Sequence, residues 1–159
     1  MIAVTDTSPV CYLILIGEVD VLRELFTKVA VPQAVLAELR HEAAPESVRA
    51  WAADLPAWMS VHENPPVLAT AIQKLQAGEE SAILLAESLQ AAIVLLDEKS
   101  ARRVATSRGL RVTGTLGVLG EAATRGLLDL TSAIERLRKT SFRYSPALLK
   151  ATLDRFGPK

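Results

Sequence analysis

Ala92-Ile93-Val94-Leu95-Leu96-Asp97-Glu98-Lys99 is the stretch that decides the fold. Five apolar residues run on without alternation and stop at a pair of acids. A strand with one wet face would alternate apolar and polar side chains. A continuous apolar run belongs instead to a strand covered on both faces, as in a parallel sheet between helices. The flanks agree. Glu79 to Gln90 carries Ala82, Ile83, Leu85, Ala86 and Leu89 at helical spacing, and Lys99 to Arg108 reads as a helix ended by Gly109.

Working outward, Ile2 to Thr5, Lys28 to Val31 (stopped by Pro32), Trp58 to His62 and Arg111 to Thr113 read as further short strands. Helices are predicted over Pro9 to Ile16, Val19 to Phe26, Gln33 to His41, Glu46 to Ala53, 67–76, Leu116 to Arg125, Leu130 to Lys139 and Pro146 to Phe156. Ala77-Gly78 reads as a break between the helix over 67–76 and the one from Glu79. Short strands alternating with helices predict an α/β fold, a three-layer α/β/α arrangement around a central parallel sheet. The expected organisation is a domain over residues 1–130, with a C-terminal helical extension over 131–159 packed on it.

The 159 residues suit one compact domain, and half of them are hydrophobic. Eighteen basic and eighteen acidic residues cancel, which argues against a broad basic surface for nonspecific nucleic-acid binding but leaves room for a local patch. Cys11 is the one cysteine, so no intramolecular disulfide and no cysteine zinc site can form; an inert core position is expected for it. An acid at position 6 and no Lys or Arg before Arg23 argue against a signal peptide, and the apolar runs are too short to span a bilayer. The expectation is a cytoplasmic protein with no membrane contact.

Right-handed crossovers bring the C-terminal ends of parallel strands to one sheet edge, where sites form. Asp6 follows the first strand and Asp97 the Ala92–Leu96 strand, so both belong to that edge. Glu79 opens the helix leading into the second of these strands, and Glu38 lies at the border of the apolar face of the helix after Pro32. Each has an ordinary structural reading. Thr7 or Ser8 would cap a helix that has Pro9 at its first position. Glu79 and Glu80 would offset a helix dipole, Asp97 would cap the next helix, and Glu38 would be a solvated helix residue. Together they form a set of carboxylates that repel one another unless a divalent cation joins them, and oxygen-only ligands suit Mg²⁺ or Mn²⁺.

Five segments, in order, resemble the PIN domain, and more closely a bacterial branch of PIN-like proteins of largely unassigned function. They are Val4-Thr5-Asp6-Thr7-Ser8-Pro9, Val31-Pro32-Gln33-Ala34-Val35-Leu36-Ala37-Glu38-Leu39, Gly78-Glu79-Glu80-Ser81-Ala82-Ile83, Leu95-Leu96-Asp97-Glu98-Lys99-Ser100-Ala101-Arg102 and Val112-Thr113-Gly114-Thr115-Leu116-Gly117. The resemblance covers roughly residues 1–130. It implies a PIN-like nuclease domain and a metal-dependent endoribonuclease. Asp6, Glu38, Glu79 and Asp97 match the acidic quartet, and Ser8 or Thr7 matches the hydroxyl that orients the first acid. The chain has Glu79 where the wider family usually has Asp. The close branch often has an Asp pair at Asp97-Glu98, so either residue could carry the larger share of a metal.

On this reading Asp6, Glu79 and Asp97, with Glu98, hold one or two Mg²⁺ or Mn²⁺ ions, and Glu38 ligates a second ion or orients water. Lys99, Arg102 and Arg103 either hold the RNA backbone or form a solvated helix face. Arg136, Arg138, Lys139 and Arg143 form a second basic cluster with the same two readings. Many relatives are toxin halves of toxin–antitoxin pairs, so the resemblance also implies a homodimer and a small antitoxin partner. The alternative is a noncatalytic PIN-like module that binds RNA or protein, whose sign would be a missing acid.

Overall fold

The computed structural model describes residues 1–65 and 75–157. Most of the helix expected over 67–76 lies outside these residues, and positions 75 and 76 are not helical. The described elements alternate as β1 (Ile2–Thr5), α1 (Thr7–Leu15), α2 (Val21–Leu25), β2 (Lys28–Pro32), α3 (Gln33–Arg40), α4 (Glu46–Ala53) and β3 (Met59–His62). They continue as α5 (Ala77–Leu89), β4 (Ile93–Leu95), α6 (Lys99–Ser107), β5 (Val112–Thr113), α7 (Thr115–Thr124), α8 (Leu130–Arg138) and α9 (Pro146–Phe156).

All five strands are parallel, in the order β3-β2-β1-β4-β5. Val4 pairs with Ala30 on one side and Val94 on the other. Successive side chains of a strand point to opposite faces, and the two faces carry separate cores. Ala3, Val29, Val31 and Leu95 join α1 to α4, α7 and α8 in the larger one. Val4, Ala30, Val94 and Leu96 join α5 and α6 in the smaller. The unbroken apolar run before Asp97 is therefore divided between two buried faces. No helix among the described residues is long and apolar enough to cross a membrane.

Chain order runs from β1 to β2 in one direction along the sheet, and β4 lies on the other side of β1. The crevice at such a reversal, beyond the strand C-termini, is where α/β sheets place their sites. Asp6 leaves β1 there, its N–H donating to the Leu95 carbonyl oxygen at 3.0 Å, and Asp97 follows β4 alongside.

Two local expectations fail. The first helix starts at Thr7, not Pro9, with Asp6 in the N-cap position and Pro9 at the third helical position. Ala77-Gly78 is no break; both residues belong to the first turn of α5. Elsewhere local signals suffice: α4 and α9 span the predicted residues, and α9 has Pro146 in its first turn behind a Ser145 cap that accepts from the Leu148 N–H at 3.0 Å.

Candidate active site

A cleft of about 820 Å³ opens at the strand C-termini. Asp6, Glu38, Glu79, Asp97 and Glu98 all line it. Each arrives on a different support. Asp6 ends β1, Glu38 projects from the outer half of α3, Glu79 is the third residue of α5, and Asp97-Glu98 form the turn between β4 and α6.

Asp6 is 7 % exposed and makes no capping hydrogen bond with its side chain. An N-cap carboxylate ordinarily accepts from the N–H of the second or third helical residue. Here the third is Pro9, which has no N–H. The carboxylate is thus left facing the cleft. Burial pushes its pKa up to about 7; the Thr7 N–H works against this, and Glu79, Glu38 and Asp97 add to the rise. Glu79 is also buried, and burial raises its pKa, opposed by the Gln76 N–H and reinforced by Glu98 and Glu38. The Gln76 N–H donates to Glu79 Oε1 at 3.1 Å, so Glu79 closes the α5 N-terminus and stands in the cleft at once.

Neither hydroxyl after Asp6 touches it. Thr7 Oγ1 donates to Glu38 Oε2, and Ser8 Oγ donates to Asp97 Oδ2 at 2.8 Å. The orienting role expected of Ser8 or Thr7 toward Asp6 is therefore redirected. The cause is the earlier helix start, which places both residues inside the first turn of α1, where their side chains reach across to α3 and to the end of β4. Asp97 receives two further bonds, from the Thr115 N–H to Oδ1 at 2.7 Å and from Thr115 Oγ1 to Oδ2 at 2.7 Å. It caps α7 from a distant segment. Glu98, exposed, lines the cleft, and its carboxylate has no hydrogen-bond partner among the described residues.

Two glycines make this crowding possible. A Cβ on Gly78 would stand 2.7 Å from Glu38 Oε1 and 3.1 Å from Asp6 Oδ1. A Cβ on Gly114 would stand 2.7 Å from Asp97 Oδ1. Gly78→Ala is expected to push the Glu38 and Asp6 carboxylates apart and to lower any activity of the cleft by roughly 10-fold or more, the size seen when a group that positions a functional side chain is disturbed. Its stability should change by no more than about 1 kcal/mol, because alanine favours a helix and the clash falls on the tip of a flexible side chain. Steady-state rates beside a thermal melt test this; a Gly78→Ala variant of full activity would show that Glu38 and Asp6 need no such closeness.

The remaining expected residues divide. Lys99 and Arg103 are exposed on α6 and line no part of the cleft. Arg102 lies on the far side of Asp97, near Gly114. In the second basic cluster, Arg136 is committed to Glu18 (2.9 Å) and to the Ile16 carbonyl oxygen, and Arg138 lies 3.8 Å from Glu135. Arg143 alone of that cluster lines the cleft. Cys11 is half-buried on the cleft wall and not fully in the core; burial raises its thiol pKa and keeps it protonated.

Sequence reasoning missed the parts played by Gly78, Thr115 and Gln76. The Gly114-Thr115 pair before an apolar run was a readable helix start, but nothing local says that the cap is supplied by Asp97.

A family model for the PIN domain matches residues 2–158. The chain belongs to the PIN domain family. The match takes in α8 and α9 as well as the sheet. No curated protein matches the chain. PIN domains have a nuclease-type fold, are generally nucleases, and typically use divalent metal ions.

The donor set of this PIN domain fits such an ion in chemistry: five carboxylates and no imidazole, the thiol on the wall, Cys11, being kept protonated by burial, and no ion pair to any of the acids among the described residues. No three of the His, Cys, Asp and Glu side chains described stand close enough to enclose one ion. Hydroxyl and amide donors hold Glu38, Glu79 and Asp97 each on its own wall.

Proposed function

We propose that the protein is a Mg²⁺- or Mn²⁺-dependent endoribonuclease that hydrolyses RNA phosphodiester bonds in the carboxylate cleft. The observation that carries this reading is the gathering of five acids from four segments with no cation paired to them among the described residues. Such a set is costly to the fold: burial first, and then the charges of Glu79, Glu38 and Asp97, push the Asp6 carboxyl up to about 7. A bound divalent ion supplies Lewis-acid activation of water and compensation of phosphate charge.

The chain's own residues divide the remaining work. Asp6, Glu79 and Asp97 would hold the ion only after it draws them in from their separate walls, and Glu98 would share it or hold a second. Thr7 fixes Glu38 at Oε2. That leaves Oε1 beside the Asp6 carboxylate over Gly78, placed to orient water or accept its proton. RNA as substrate follows from the resemblance, as do the homodimer and the small antitoxin over the cleft; the cytoplasmic setting is proposed from the sequence reading alone. The noncatalytic alternative expects a missing acid, and all five line the cleft.

Purified protein should cleave single-stranded or structured RNA with Mn²⁺ and lose that activity with EDTA. Cleavage that survives EDTA would sink the metal-dependent reading. Light scattering of the protein, alone and co-expressed with the product of an adjacent small gene, tests the dimer and the antitoxin.

A further inference from the structure

Beside the carboxylate cleft lies a second depression, of about 450 Å³, between β5, α7 and α9. Its charge is opposite. Arg102, Arg111, Arg125, Arg143 and Arg155 line it, against Asp97 and Glu121. None of the five arginines is paired with a carboxylate among the described residues, where the ion pairs use Arg23, Arg108, Arg136 and Arg138. Arg125 reaches only the Glu24 carbonyl oxygen, at 3.4 Å, and Arg155 lies 4.8 Å from the centre of the Phe156 ring.

The chain is neutral overall, so this is segregation of charge and not excess. Guanidinium groups drawn together without partners repel one another, and an anion in their midst offsets that. Between them the groove is apolar, with the rings of Phe142 and Phe156 on its wall. Tyr12 fixes Phe142 edge-on at 5.0 Å between ring centres, and the Tyr12 hydroxyl lies 3.0 Å from Ser141 Oγ. Phe142, Arg143 and Asp97 line both the groove and the cleft, so the two are continuous.

We propose that this groove binds the nucleotides flanking the scissile phosphate on one side, as a single RNA strand. Its phosphates lie on the arginines and a base lies on an aromatic ring. Arginine suits phosphate geometry, and an unpaired base can stack on Phe142 where a duplex cannot present one, while the Phe156 ring is taken up by Gly120 and Arg155. The word scissile rests on the nuclease reading; the binding itself does not. The groove also answers a difficulty of the cleft, since carboxylates repel the backbone they must meet, and a basic track beside them supplies the attraction.

The test is fluorescence anisotropy with a labelled single-stranded RNA oligonucleotide in EDTA, where no cleavage is needed. Arg111→Glu combined with Arg155→Glu, both exposed and outside the carboxylate cleft, should weaken binding about tenfold or more. It should also flatten the log–log salt dependence by about 0.7 for each phosphate that is no longer neutralised. Arg23→Glu combined with Arg49→Glu makes the same charge change away from both sites and should leave affinity within about twofold. Unchanged affinity in the first variant, an equal loss in the second, or equally tight binding of a duplex would overturn the proposal. So would displacement of the oligonucleotide by an equal concentration of mononucleotide, which would assign the groove to a nucleotide ligand. Binding that depends on Arg111 and Arg155 in a protein that never cleaves RNA with Mn²⁺ would sink the nuclease reading and leave the groove standing.

Discussion

Asp6→Asn is expected to abolish cleavage and to make the metal-free protein more stable at pH 8. The two effects share one cause. Asp6 is buried among like charges, and its pKa in the fold is about 7 against an ordinary 3.8. Below pH 4 it is protonated in folded and unfolded chains alike. Between those values the folded state keeps a proton that the unfolded state has lost, so stability falls as pH rises through the window. Above pH 7 the full penalty stands, on the order of 4 kcal/mol. Asparagine fills the same space and never ionises. Its melting temperature should exceed wild type by roughly 5–15 °C at pH 8 and converge with it near pH 4. Cleavage should fall by roughly 10³-fold or more, as when a central member of a catalytic set is removed. If the cleft holds Mn²⁺ as proposed, the ion should raise the wild-type melting temperature at pH 8, and should do so far less in Asp6→Asn. A variant that melts below wild type at pH 8 would contradict the account of Asp6 as a buried, uncompensated charge.

Asp97→Ala should do the reverse to stability, although Asp97 stands at the neighbouring strand end. Its two oxygens take three donors: the Thr115 N–H, Thr115 Oγ1 and Ser8 Oγ. Thr115 is fully buried, so alanine leaves an amide and a hydroxyl without their protein acceptor. Stranded donors cost about 1–3 kcal/mol each, and the lost cap frees the start of α7. A loss of about 3–5 kcal/mol, or roughly 10 °C in melting temperature, is expected. Asp97→Asn keeps an acceptor for the Thr115 N–H and should lose much less, about 1 kcal/mol. Differential scanning calorimetry of both variants decides this. If the alanine variant melts with wild type, Asp97 is not the tie that holds α7 to α1 and β4. With Asp97 so committed, Glu98 is the carboxylate of the pair with freedom to move toward a ligand.

Much of this was readable in one dimension. The unbroken apolar run before Asp97 required a strand covered on both faces, and β4 has one core above it and another below. Asp6 and Asp97 could be named because strand ends of a parallel sheet share an edge, whereas Glu38 and Glu79, both on helices, joined them through the resemblance to the PIN domain. The start of α1 could not be fixed. The first-turn N–H groups of a helix need no intrahelical partner, so proline fits any of these positions. Gly78 misled for a related reason. Glycine weakens helices on average, but here the space of its missing Cβ is taken by the carboxylates of Glu38 and Asp6.

The sequence by itself determined the alternation of elements, the parallel sheet and which acids could meet, because periodicity and strand polarity are local properties of the chain. Only the tertiary structure decided what each oxygen does: the Ser8 hydroxyl serves Asp97, the Thr7 hydroxyl serves Glu38, and no hydroxyl serves Asp6. It alone set five arginines, drawn from α6, the approach to β5, the end of α7, the segment before α9 and α9 itself, around one groove. Hydrogen-bond partners and charge clusters depend on distances between residues far apart in the chain, and those distances exist only once both cores have closed.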